Sequence, residues 1–208
     1  MSDRITTDNQ RAKIMPAEAA AALIQPGDNV GMSGFTGAGY PKLVPVALAQ
    51  RIRESIAAGD DFRIGVWTGA STAPELDGAL AEADGVQLRL PYQSDPITRT
   101  KINQGSMSYI DQHLSHVAQW VWEGFLGKLD VAVIEVTGIT PDGKLIPASS
   151  VGNNKTWIDQ ADKVILEVNS WQSMDLEGMH DIYYGTRLPP ARKPVMMTGP
   201  GDRIGSPY

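Results

Sequence analysis

Apolar residues recur along this chain in two alternating rhythms. Short, nearly continuous apolar runs at residues 28–32, 62–67, 86–90, 131–136 and 164–168 have the length and the β-branched content of strands. The run at 131–136 is the most strand-like. It suits a central parallel strand buried on both faces and is interrupted only by Glu135. Between these runs the apolar period lengthens to that of a helix. Residues 16–24 open with Pro16 and stop at Pro26-Gly27, and residues 43–58 carry a stripe of Val44, Ala47, Leu48, Ile52 and Ile56 closed by Gly59. Shorter helices are predicted at 75–81 behind Pro74, at 96–103 and at 156–161. A longer one at 113–125 has Leu114, Val117, Val121 and Phe125 on one face. Strands alternating with helices define an α/β domain, an open mostly parallel sheet flanked by helices. Residues 2–13 are charged and aperiodic, an arm expected to pack late or not at all. Thr140-Pro-Asp-Gly143 is a turn, and residues 187–208, with five prolines, read as a connection rather than a terminus.

The stretch GMSGFTGAGYPK, residues 31–42, falls between the first strand and the 43–58 helix and is the most distinctive in the chain. Glycines at 31, 34, 37 and 39 free the backbone for tight turns and for close approach by another chain or a ligand. In an open α/β sheet the loop after a parallel strand is where ligands are held. A tight turn that happens to be rich in glycine is the competing reading. Neither G-x-G-x-x-G nor G-x-x-x-x-G-K-[ST] is present, so the dinucleotide and P-loop readings lack their residues. Phe35 and Tyr40 would be poor choices here unless each had something to pack against. A second stretch of small and hydroxyl residues, Thr68-Gly69-Ala70-Ser71-Thr72, follows the 62–67 strand in the same way.

Composition narrows the classes. A chain of 208 residues suits one domain, and at that size roughly 70% of the unfolded surface is buried on folding. The absence of cysteine excludes disulfides, thiolate metal sites and cysteine nucleophiles, and the expected compartment is cytoplasmic. A net charge of −6 argues against nucleic-acid partners, which need clustered Lys and Arg. No apolar run reaches membrane-spanning length, and residues 1–13 lack the apolar core of a signal peptide.

Several residues carry possible chemistry, each with a structural reading beside it. His113 and His116 with Asp111 could face one side of a helix, but the H-E-x-x-H spacing is absent, so no metal site is assigned. His180 is treated the same way. Ser71 is either a hydrogen-bond donor to a ligand or a helix cap, since no G-x-S-x-G elbow surrounds it. Glu135 would have a raised pKa if buried and unpaired, and is equally readable as a hydrogen-bonded structural glutamate. Lys42 could hold an anion or simply be solvated.

Taken together, GMSGFTGAGYPK, TGAST with PELDG, the block VAVIEVTGITPDGKLIPASSVGNN and VILEVNSWQSMDLEGMHDI resemble the acetyl-CoA hydrolase/transferase family, the succinyl-CoA:acetate CoA-transferases in particular. The resemblance runs from Arg4 to Ile204 and is to the amino-terminal half of such enzymes. It implies a CoA-transferase-like domain of the NagB/RpiA/CoA-transferase type at residues 16–186, an arm at 1–15, and a connection at 187–208 toward a second, related domain outside this chain. It also implies movement of coenzyme A between an acyl-CoA, such as succinyl-CoA or acetyl-CoA, and a short carboxylate such as acetate. The thioester is carried on a glutamate of the carboxy-terminal half, a covalent strategy that keeps the activated acyl group from water. No catalytic residue is therefore expected here, and the polypeptide alone should be inactive.

What the resemblance assigns to this chain is the wall facing the carboxylate. The implied substrate-binding residues are Gly34, Phe35, Thr36, Gly37, Ala38, Gly39, Ser71, Tyr92, Ser94, Val151, Gly152 and Asn153. Coenzyme A enters as acyl-CoA substrate, with no other cofactor and no metal. The implied partners are the carboxy-terminal half, the carboxylate and the acyl-CoA, in a dimer of the complete enzyme. An acetyl-CoA hydrolase and a noncatalytic small-molecule-binding module remain the alternatives.

Overall fold

The computed structural model describes residues 4–70, 72–183, 187–195, 197 and 199–201. Seven strands form one sheet: β1 (Asn29–Ser33), β2 (Ile64–Trp67), β3 (Val86–Leu90), β4 (Ser108–Tyr109), β5 (Val131–Ile139), β6 (Leu145–Pro147) and β7 (Lys163–Val168). The order is β4-β3-β2-β1-β5-β6, with β7 also paired to β5. All pairings are parallel except the short β5–β6 ladder. Chain order runs outward from β1 through β2, β3 and β4 on one side, then returns to β5 on the other. The order therefore reverses between β1 and β5, the place where open α/β sheets form a crevice at their carboxyl ends.

Strand alternation divides the interior into two cores, one on each face. Val131 and Val133 of β5 join Val30, Met32, Ile64 and Val66 against helices α2 (Ala17–Ala21) and α3 (Leu43–Ala57) and the 74–82 helical segment. Ala132, Ile134 and Val136 point the other way, onto Trp67 and onto α6 (Leu114–Trp122) and α7 (Asn154–Gln160) through Val117, Val121 and Trp157. This double burial is why the 131–136 run has no polar alternation. The remaining α-helices among the described residues are α1 (Asp8–Arg11), α4 (Ala79–Glu82), which continues a π-helical turn at Pro74–Gly78, and α5 (Pro96–Asn103), capped by the Asp95 side chain. The expected open α/β sheet flanked by helices is the fold observed.

Three local expectations are corrected. The arm is anchored to the sheet: Ile5 is buried and bridges Ile139, and the Arg4 guanidinium donates to the carbonyls of Thr137, Asn169 and Gln172. Among the described residues β7 pairs only with β5, so Val164 is 40% exposed and the 164–168 run is an edge strand rather than a buried one. β5 extends past residue 136 to Ile139, because Gly138 and Ile139 find partners in Ile146 and Leu145.

Candidate functional site

The glycine-rich stretch after β1 folds into a closed hairpin turn. Phe35 N–H donates to the Ala38 carbonyl at 2.9 Å and Ala38 N–H returns a bond to the Phe35 carbonyl at 3.2 Å, with Thr36 at φ 52° between them. Two of the glycines are required by neighbouring chain. A side chain on Gly34 would meet the Ala38 and Gly39 carbonyls, and one on Gly39 would lie 2.6 Å from Ser150 Oγ and 2.8 Å from its backbone nitrogen. Ser150 locks the turn from outside, accepting from Phe35 N–H at 2.8 Å and donating to the Ala38 carbonyl at 2.6 Å. The tight-turn reading therefore describes the backbone. Tyr40 is buried and bonds Glu75, whereas Phe35 is 54% exposed.

Three segments meet beside this turn. A Cβ built on Gly69, in the turn after β2, would sit 3.4 Å from the Gly34 carbonyl oxygen, 3.4 Å from Asn153 N and 3.5 Å from Gly152 Cα. The turns that follow β1 and β2 and the segment leading into α7 thus share one small volume at the carboxyl edge of the sheet. Asn153 Nδ2 is buried there with no hydrogen-bond partner among the described residues. A cavity of about 200 Å³ adjoins, lined by Ala118, Val151, Gly152, Asn153, Lys155, Thr156, Asp181, Ile182 and Tyr183. Tyr92, 48% exposed, and Ser94 follow β3 on the same edge, two strands away from β1. Ser71 lies outside the described residues; its neighbours Ala70 and Thr72 are both buried.

The charged residues singled out from sequence are engaged within the fold. Lys42 Nζ is bonded to the buried Glu135 carboxylate and, at 2.8 Å, to the Tyr40 carbonyl, and it sits 4.2 Å from the centre of the Tyr40 ring. Glu135 is thus the structural, hydrogen-bonded glutamate of the two readings. Glu167 of β7 accepts from the backbone N–H groups of Lys42, Leu43 and Val44 at 2.6, 2.9 and 3.0 Å. A carboxylate of the chain itself therefore occupies the N-terminus of α3, the position where a dinucleotide fold would place a pyrophosphate. Burial first, then the hydrogen bond to Glu75 and the nearby carboxylates, push the Tyr40 phenol up to about 12. His113 and His116 pack edge to face at 5.5 Å, and no group of three metal-ligating side chains exists among the described residues.

One pair went unnoticed in the sequence. Arg89 of β3 and Asp77 form an ion pair with Nε–Oδ1 at 2.8 Å and Nη2–Oδ2 at 3.1 Å, both side chains 1% exposed. Burial alone would raise the Asp77 carboxyl, but the Arg89 charge and the hydrogen bonds from Arg89 and Thr72 outweigh it and hold the pKa below the usual carboxylate value. The only trace in the sequence is an arginine inside the apolar run VQLRL, with an aspartate in PELDG to match it.

A mostly parallel sheet whose strand order reverses between β1 and β5, with helices on both faces, defines an open α/β domain. The acetyl-CoA hydrolase/transferase N-terminal domain family matches residues 1–186, and the chain belongs to that family. It is 42% identical over 205 residues to the succinyl-CoA:acetate CoA-transferase of Clostridium kluyveri, covering 99% of this chain and 37% of that protein. It is 43% identical over 194 residues to the propanoyl-CoA:succinate CoA transferase of Escherichia coli, covering 93% of this chain and 39% of that protein. The crystal structure of glutaconate coenzyme A-transferase from Acidaminococcus fermentans superposes with a TM-score of 0.54 at 13% identity, over 74% of this chain and 68% of that one. This chain thus spans less than two-fifths of the length of the two relatives and corresponds to their amino-terminal part. Among the described residues no helix is long and apolar enough to cross a membrane.

Proposed function

We propose that this chain forms the carboxylate-facing wall of a CoA-transferase that exchanges coenzyme A between succinyl-CoA or acetyl-CoA and a short carboxylate such as acetate. The observation that carries the reading is the meeting of Gly34, Gly69 and Gly152-Asn153 at the carboxyl edge of the sheet in a chain of this family. The Asn153 backbone nitrogen and glycines without side chains border a volume suited to a group of few atoms whose negative charge needs donors, with the Gly34 carbonyl oxygen on another side. The Asn153 amide adds a buried donor with no partner of its own among the described residues. The substrate-binding set is Gly34 to Gly39 with Phe35 exposed at the rim, Ser71, Tyr92, Ser94, and Val151 to Asn153. The attacking glutamate comes from the carboxy-terminal half, and coenzyme A enters only as thioester substrate.

Residues 187–208 form the connection to that half, and the N-terminal arm belongs with the 16–186 domain, since Arg4 and Ile5 take part in the sheet's packing. The complete enzyme is a cytoplasmic dimer. Combining this chain with the carboxy-terminal portion of a close relative should restore transfer of coenzyme A from succinyl-CoA to labelled acetate. No transfer from a folded, associated pair would contradict the reading. Hydrolysis of acetyl-CoA is the second reading, favoured by the family's own description, and is separated by thiol release that continues without an acceptor carboxylate. The noncatalytic small-molecule module, with phosphate as its ligand, is disfavoured by Glu167, which already fills the α3 N-terminus.

A further inference from the structure

We infer that the buried Asp77–Arg89 pair is a positioning device that fixes the turn after β2 against the end of β3, at the edge where the acceptor carboxylate binds. The inference rests on the carboxylate-site reading and deepens it.

The bonds form a closed circuit. Thr72 N–H donates to Asp77 Oδ2 at 2.8 Å, Asp77 is gripped by two arms of Arg89, and the third arm donates to the Leu90 carbonyl. That carbonyl also accepts from Thr68 N–H at 3.0 Å. Thr68 and Thr72 are therefore tied to each other through Asp77, Arg89 and Leu90, and beside Thr68 stands Gly69, whose Cβ position lies within 3.5 Å of the other two segments of the site. Leu90 leads directly into the loop that carries Tyr92 and Ser94. Asp77 is itself anchored from α5, where Thr98 Oγ1 donates to its carbonyl at 3.2 Å.

Net stability is a poor account of this arrangement. Taking two charges fully out of water costs about as much as their attraction returns, and apolar residues of similar volume commonly serve the fold as well or better. Neither side chain reaches the surface, so neither can touch a substrate; both act through the backbone they hold. A guanidinium fork meeting a carboxylate fixes direction as well as distance, which an apolar contact would not.

The test compares Asp77→Asn and the double variant Asp77→Leu/Arg89→Met with the wild-type chain, following thermal melting and the response of the Gly69 backbone amide to acetate by NMR titration. The double variant is expected to fold with a melting point near that of the wild type, while acetate affinity falls tenfold or more in both variants. A folded double variant that binds acetate within twofold of wild type would overturn the proposal and leave the pair a structural cap on the Pro74–Gly78 turn. Failure of both variants to fold would also overturn it, since the pair would then be a requirement of the fold. A wild-type chain whose Gly69 amide does not respond to acetate defeats the carboxylate-site reading itself and the positioning role with it, an outcome distinct from the other two.

Discussion

Gly69 and Asn153 lie so close that a single methyl group on the glycine would come within 3.4 Å of the asparagine backbone nitrogen, with the Gly34 carbonyl oxygen at the same distance on another side. Those contacts are at ordinary van der Waals range. Gly69→Ala should therefore fold with stability within about 1 kcal/mol of wild type, as for a substitution that neither clashes nor opens a cavity. The methyl group would nonetheless occupy the volume shared by the three segments. Acetate binding should be lost or weakened at least tenfold in a titration of the folded variant, and undiminished binding would place the carboxylate elsewhere.

The glycine turn offers an internal comparison. At Gly34 the space for a side chain is filled by the backbone of Ala38 and Gly39, whereas at Gly37 nothing lies within 4 Å. Gly34→Ala must push the turn open against its bonds to Ser150 and should cost roughly 1–3 kcal/mol, the range for overpacking a well-filled site. Gly37→Ala should be nearly neutral. Urea denaturation of both variants checks the contrast, and equal costs would contradict the packing account of residue 34.

Lys42 and Glu135 should behave as a unit. Removing one partner of a buried pair leaves an uncompensated charge and costs about 3–5 kcal/mol when both are enclosed. Lys42 is 37% exposed along its side chain, so Lys42→Met should cost less than that range, with water screening what remains of the field. Lys42→Met/Glu135→Leu should recover part of the loss. A double variant less stable than Lys42→Met, measured in the same denaturant series, would contradict the pairing.

Alkaline pH should weaken the fold through Tyr40. Its phenol is raised from 10.0 to about 12, chiefly by burial and then by Glu75, so the folded chain holds the proton more tightly than the unfolded chain. Below pH 10 both states are protonated and the contribution is complete. Between pH 10 and 12 the unfolded chain releases its proton first, and stability falls across that window. Tyr40→Phe should flatten that part of a melting-point profile, and an unchanged slope would show that other groups dominate it.

Much of the fold was legible because burial leaves a period in the sequence. The two-faced core along 131–136 wrote a continuous apolar run, and the one-faced helix α3 wrote a stripe. Elements held by backbone pairing alone left no such mark. β4 is only two residues, Ser108 and Tyr109, and the N-terminal arm is anchored by contacts distant in sequence, Arg4 on three carbonyls and Ile5 on Ile139, which no local pattern encodes. The same limit applied at the site. Clusters of small residues after β1 and β2 do meet at the carboxyl edge of the sheet, but the glycines at 34 and 39 answer to neighbouring chain, and only the folded chain reveals that. Arg89 lies inside the 86–90 strand, and its partner twelve positions earlier is found by a turn of the chain, not by spacing.

The central claim is that three turns form one carboxylate site, and it is tested most directly by titrating the isotopically labelled chain with acetate while following every backbone amide. The account predicts that amides of the 35–38 turn, of Gly69 and of Gly152 and Asn153 shift together along a single saturation curve, with those of α2 and of the N-terminal arm unmoved. Shifts confined to one of the three segments, or different affinities at each, would contradict it.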